Sequence, residues 1–588
     1  MKQLMREYIA SLGERADLEK LLPDILSEIG MKVISRPGRG TRQYGVDVLA
    51  TGLDPNDKTK KFTYLITIKS GDIGRSDWDS GPQAVRQSIN DIVDVYIPTH
   101  LPPGLRNTNK VIVVCCGGHV QEAVRQNLSG LTASIESQHK DVSFQEWNGD
   151  HLADIVMSGV LRESVFSNEL RSQLRKAIAF VDEAEVCERH MENLCHALAN
   201  KDLSKRKNQI TALRQINLAL FSIFVWARDA ENLEGAYRAS EVALLYAWDI
   251  SRTALGVKSK SANTAIAAAV SVANMHLNIL SRFVETYILP SADIIDGLAS
   301  QIPSAASVDV NLKMFDLLGR VAILGHWRLQ EQYRRMKVGA DYGSEMEIQE
   351  IRDIADTIDA MIKNNPVFYS PVSDYQNTEI SLALSFLAAA GWENTITSWS
   401  QQMFAACKFA YETDGNYPMA TPVYSDLANR VRGDLALREK FTNANVLYAV
   451  LLVEFGRQGN DMNLQSLQNF LRESLPHTTT QLWFPNTASE DSLWTNSEVH
   501  GRAMTDMPDD ENSAEFIKHL NRLLEHEDGF QTLSAVQATL WTIPLVAFRR
   551  YKLPVPISFQ SLLSGVLNEL LEADSKVPES ERSKVKTS

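Results

Sequence analysis

Two residues have types and spacing suited to attack on a phosphodiester: Asp47, in Gly45-Val-Asp47-Val-Leu, and Lys69, closing Tyr64-Leu-Ile-Thr-Ile-Lys69. A carboxylate holds a hard cation, and a lysine beside it faces an anion or an activated water. They lie on consecutive strand-like runs, so a hairpin would carry both to one end of a sheet. Thr67 stands two residues before Lys69; its hydroxyl is a poor ligand for a hard cation, although it can hold a metal-bound water. Glu19, on a preceding helix, would complete the cation's shell or simply lie on a solvated helix face. Arg36, Arg39, Arg42, Lys58, Lys60 and Lys61 bracket the Asp47 strand. They suit contacts to backbone phosphates or an ordinary solvated turn.

The elements that must position these residues are legible from periodicity. Asp17 to Ile29 has helical apolar spacing, with Gly30 as its C-terminal stop. Met31 to Ile34, Val46 to Ala50 and Phe62 to Ile68 read as strands, and Pro82 to Val95 as a helix. Val111 to Cys116 reads as a buried strand, followed by a helix from Val120 to Leu128 and a strand from Val142 to Trp147. The first 166 residues therefore form an α/β domain.

From residue 167 to 575 the strand signal gives way to long amphipathic runs. These are Leu170 to Leu198, Lys207 to Asp229, Leu233 to Arg252, Ala262 to Ile288, Val310 to Met336, Glu345 to Lys363, Glu379 to Thr413 and Leu435 to Arg457. Small residues in Asn232 to Leu244 suggest packed helical hairpins, but no regular 34-residue helical repeat emerges. Residues 477–512 break the pattern with Trp483, Phe484 and Trp494, and read either as a packed surface segment or as a partner-binding loop. Residues 576–588 read as a disordered tail.

Five cysteines without framework spacing suit a reducing, cytoplasmic setting. Cys187, His190, Cys195 and His196 read as core cysteines and surface histidines rather than a zinc site. Thr264 to Leu280 is the nearest approach to a membrane span and reads as a buried Ala-rich helix, so no membrane is expected. The net charge of −14 argues against a general nucleic-acid coat. Roughly −2 of it falls in the first 166 residues, so the acidity lies away from the candidate site. There is no phosphate-cradling Gly-Lys-Ser/Thr loop, and Arg549-Arg550-Tyr551-Lys552 is too short a basic patch to interpret.

Glu19 before Gly30, then Gly45-Val-Asp47, then Thr67-Ile-Lys69, in an α-β-β-β-α-β order, resembles the restriction-endonuclease-like fold. This is the PD-(D/E)XK nuclease superfamily, nearest its Mrr-type branch, and the resemblance covers roughly residues 15 to 165. Phe144 to Ala153 resembles the end of such domains. The resemblance implies an endonuclease using Mg²⁺ or Mn²⁺ on DNA, with Asp47 as metal ligand, Glu19 as auxiliary acid and Lys69 positioning the water. Gln87 would line the site. Family members usually carry an acid or glutamine where this chain has Thr67. The missing ligand then comes from Glu19, Asp72 or Asp79, or metal binding is weak, or the domain binds nucleic acid as a scaffold without cutting. The architecture further suggests an anti-phage effector that forms homo-oligomers, its helical region docking a protein partner or a phage-derived trigger.

Overall fold

The computed structural model describes residues 18–28, 30–35, 44–53, 61–69, 71–80, 84–155, 167–339, 345–486, 490–495, 501–525 and 529–575. Arg36, Arg39, Arg42, Lys58, Lys60 and the tail 576–588 lie outside these residues. The chain divides into two compact units, 1–175 and 176–588.

The first unit is built on a five-stranded mixed sheet in sequential order. Helix α1 (Glu19–Glu28) leads into β1 (Lys32–Ser35), β2 (Val48–Leu53) and β3 (Lys61–Lys69), which pair antiparallel. Helices α2 (Arg75–Asp79) and α3 (Val85–Asp91) follow, and α3 continues as a π-helix from Ile92 to His100. Strand β4 (Asn109–Cys116) then lies parallel to β3, and β5 (Val142–Trp147) parallel to β4, with α4 (Glu122–Gln138) as the crossover. A parallel pair requires such a crossover, and the helices must cover the sheet. Alternation puts Leu65 of β3 and Ile112 and Val114 of β4 on one face, where they join Val85, Ile89, Ile92 and Val124 in a single core. On the other face Tyr64 packs on Trp147, ring centres 5.9 Å apart. Helix α5 (Gly149–Ile155) closes the unit.

The second unit is predominantly helical, from α6 (Asn168–Ala179), which straddles the division, to a last helix at Ser558–Ser575. Helices α7 (Ala184–Ala199), α8 (Arg206–Asp229), α9 (Glu234–Arg252) and α10 (Lys260–Tyr287) pack as consecutive neighbours. The long α11 (Ser307–Lys337) lies on α12 (Glu345–Asn364) and α13 (Asn377–Ala390). Two glycines of α11 make the α13 crossing close: a Cβ on Gly325 would sit 2.4 Å from the Phe386 ring, and one on Gly319 2.7 Å from the Glu379 Cγ.

Three runs that read as single helices are broken. Leu170 to Leu198 is interrupted between Ala179 and Ala184, and Leu435 to Arg457 by a two-residue strand at Ala444–Asn445. Glu379 to Thr413 splits where Gly391, at φ 87°, caps α13 before α14 (Glu393–Glu412) begins. A glycine in the left-handed region at that position is an ordinary helix stop.

The irregular stretch 477–512 is packed where it is described. Leu482–Pro485 pairs antiparallel with Gly501–Met504, and Glu490–Thr495 is helical. Trp494 is fully buried and Trp483 meets Phe548 edge-on at 5.6 Å. The Glu490 carboxylate accepts the Ser534 N–H at 2.9 Å. The aromatic residues are anchors of the core.

Candidate functional site

Asp47 is delivered to the sheet by a strained turn. Tyr44 and Gly45 both have left-handed backbone, with φ 47° and 80°. A Cβ on Gly45 would lie 2.2 Å from the Ser88 carbonyl oxygen of α3, so only glycine fits without displacing backbone. Asp47 then joins β3 through two bonds. Its N–H donates to the Ile66 carbonyl at 2.9 Å, and its Oδ2 accepts the Ile68 N–H at 2.7 Å. The carboxylate thus lodges against β3 one residue before Lys69.

Lys69 is the last residue of β3, half-buried, in register with Cys116 of β4. Thr67 pairs in register with Val114 and is 1% exposed, facing the apolar core. Its hydroxyl is sealed from any ion arriving through solvent. Glu19 opens α1, half-buried, on the helix that packs against β1 and β2.

The other candidates are engaged with partners of their own or stand at the far end of the strand. Gln87 is exposed on α3 and donates to Asp91 of its own helix at 2.7 Å. Lys61 is the first residue of β3, so it stands about 26 Å along the strand from Lys69. Asp72 accepts the His119 N–H at 3.0 Å, and Asp79 pairs with Arg86 at 3.6 Å on the surface.

Sequence reasoning missed the junction at the carboxyl ends of the three parallel strands. The Gly118 N–H donates to the Gly71 carbonyl at 2.8 Å, and the Gly149 N–H to the Gly118 carbonyl at 2.7 Å. Glu146 of β5 accepts from the Asn148 side chain at 3.2 Å and pairs with Arg125 at 3.4 Å. The adjacent Gly117-Gly118 was the available signal, since a Cβ at Gly118 would strike the Asp72 carboxylate at 2.0 Å.

The two cysteines of β4 are fully buried. Burial pushes the Cys115 thiol well up, with the Cys116 and Asp47 charges adding to it. Burial, then the charges of Glu146 and Asp72, pushes Cys116 up to about 12. Among the described residues, no three His, Cys, Asp or Glu side chains gather to hold a metal ion. The half-buried Asp47 carboxylate uses Oδ2 to accept the Ile68 N–H. Magnesium commonly takes one or two protein carboxylates and fills its shell with water and substrate phosphate. Cys187 and Cys195 are buried core residues, and His196 is exposed beside Asn200.

No protein-family model, no curated protein and no solved structure matches this chain.

Proposed function

We propose that the α/β unit is a restriction-endonuclease-like domain that hydrolyses DNA phosphodiesters at Asp47 and Lys69, as a cytoplasmic effector against phage or foreign DNA. The observation that carries this reading is the 2.7 Å bond from the Ile68 N–H to the Asp47 carboxylate, which fixes an acid next to the lysine at a strand end. Preorganised charge of this kind stabilises a phosphoryl transition state without reorganisation during reaction. Mg²⁺ or Mn²⁺ bound at Asp47, with Glu19 as auxiliary acid, would supply positive charge to the phosphate oxygens. Lys69 orients the attacking water and balances the charge that develops on the phosphate. The helical unit answers to a partner or a phage-derived trigger, which restrains cutting until it is needed.

A second reading rests on Thr67. With that position buried at 1% and occupied by a hydroxyl, the unit would bind nucleic acid as a scaffold without cutting it. Incubating supercoiled plasmid with the full chain, in Mg²⁺, in Mn²⁺ and in chelator, separates the two. Metal-dependent nicking supports the nuclease; a salt-sensitive gel shift with intact plasmid supports the scaffold.

A further inference from the structure

Helix α10 (Lys260–Tyr287) differs from the buried helix that its composition suggests. Its apolar stretch has a mean hydropathy of 1.3, high enough for a membrane span, yet only 33% of it is buried. By contrast, the comparably apolar α8 is 72% buried. One face of α10 packs inward through Ala262, Ala265, Ala269, Val272, His276 and Phe283. On the opposite face Ala267, Asn274 and Asn278 are exposed while Thr264, Ser271 and Ser281 are half-buried, Ser281 accepting from Arg328 of α11 at 3.5 Å; from Ser261 to Ser281 the helix itself carries no Asp, Glu, Lys or Arg.

That face has an order of its own. Thr264, Ala267, Ser271, Asn274, Asn278 and Ser281 recur at alternating steps of three and four, the spacing of a helix–helix seam. Half-buried Ile266, Val270 and Leu277 flank it on one side, and Ala268 and Met275 on the other. The same spacing continues to exposed Lys260 at one end and exposed Glu285 at the other. The Thr264 and Ser271 hydroxyls donate to the carbonyls of Lys260 and Ala267 at 2.9 and 3.1 Å, so neither depends on water.

We propose that this face is the contact between two copies of the chain, packed antiparallel along α10. An antiparallel pair about a two-fold axis places Lys260 of each copy opposite Glu285 of the other. In the same register Thr264 meets Ser281, Ala267 meets Asn278, and Ser271 meets Asn274. Each asparagine thus faces a small residue, and each end of the seam gains an ion pair. A two-fold contact requires such self-complementarity, and this register pairs the exposed Ala267 with Asn278 and the oppositely charged ends with each other. The Arg282–Glu285 pair at 3.6 Å is exposed and offers little competition. A lipid bilayer suits this face poorly, because Asn274 and Asn278 would enter hydrocarbon unpaired while the opposite face holds the core. The inference gives a location to the proposed oligomer and does not depend on whether the α/β unit cuts.

Light scattering coupled to gel filtration of the full chain, over a dilution series, tests it. The wild type should run at twice the chain mass. Lys260→Glu and Glu285→Lys should each weaken the dimer about tenfold. The doubly exchanged variant should restore it, and Ala267→Arg should give a monomer with the wild-type circular dichroism spectrum. A monomer at every concentration, or a dimer indifferent to these changes, would overturn the proposal. So would a monomer that binds phosphatidylcholine vesicles and loses that binding in Ala267→Arg. Plasmid cleavage is a separate readout, so failure here leaves the nuclease reading untouched.

Discussion

The Asp47 carboxylate accepts the Ile68 backbone N–H at 2.7 Å, so the acid proposed to hold a cation also ties the head of β2 to β3. The two roles separate by substitution. Asp47→Asn keeps an oxygen for the Ile68 amide and removes the charge, whereas Asp47→Ala removes both. The asparagine variant should melt close to the wild type while losing cleavage at least a hundredfold. The alanine variant should also lose about 1–2 kcal/mol of stability from the orphaned amide. Equal melting of all three proteins would show that the bond is not structural.

Gly45→Ala should destabilise the α/β unit by about 2–4 kcal/mol, because the backbone is left-handed and the added Cβ meets the Ser88 carbonyl. Since the turn positions Asp47, cleavage should fall even in the folded fraction. Urea titration followed by tryptophan fluorescence, with plasmid nicking at a temperature where the variant is folded, reads both effects. Wild-type stability would mean that the turn adapts.

Arg549 predicts a different kind of loss. Of Arg549-Arg550-Tyr551-Lys552, a basic patch by sequence, both arginines turn inward and Lys552 stays exposed. Arg549 is 4% exposed and bonds Glu241, also 4% exposed, together with Asp316 at 2.6 Å. Arg550 pairs with Glu188 at 2.5 Å and Lys552 pairs with Glu379. Arg320 completes the cluster with two bonds to Glu234, at 2.7 and 2.6 Å, and stacks over the Tyr237 ring. Arg549→Met strands a buried carboxylate and should cost about 3–5 kcal/mol. Removing the partner as well, in Arg549→Met with Glu241→Leu, should cost less than the single change. A double-mutant cycle by chemical denaturation checks this, and simple additivity would contradict it.

Two buried histidines should make the helical unit acid-labile. Ser240 gives its proton to the Tyr237 carbonyl at 2.6 Å, so His276 must donate to it through Nδ1, at 2.8 Å. His326 donates through Nε2 to the Leu382 carbonyl at 3.1 Å. The other nitrogen of each ring is buried without a hydrogen-bond partner, and burial lowers both groups to about 4. The unfolded chain therefore takes up protons that the folded chain refuses between about pH 6.5 and 4, and stability falls as pH falls through that window. Each histidine contributes on the order of 3 kcal/mol. Asp374, raised to about 6 by burial, acts in the opposite direction, its contribution being lost as pH rises through that value; two histidines outweigh it. The melting temperature should drop from pH 7 to pH 5, and His276→Gln with His326→Gln should flatten the dependence. A flat wild-type profile would contradict this assignment.

The strands were legible because their signal is local. The run from Val142 to Trp147 is the observed strand, whereas the left-handed turn at Tyr44 and Gly45 was not read from the sequence. Helix breaks without proline escaped notice, as between Phe180 and Glu183, because amphipathic spacing continues across a short interruption. The burial of Thr67 was not legible either, since it depends on β4 arriving from more than forty residues away to place Val114 alongside it. For the same reason the inward turn of Arg549 was hidden. Its partners Glu241 and Asp316 lie hundreds of residues earlier, and nothing near Arg549 in sequence announces them.

Cleavage of supercoiled plasmid by the wild type, Asp47→Asn and Lys69→Ala, in Mg²⁺ and in chelator, tests the central claim most directly. The account predicts nicking by the wild type that requires the metal and disappears in both variants while their folding is retained. Intact plasmid with all three proteins, or nicking that survives Asp47→Asn, would contradict it.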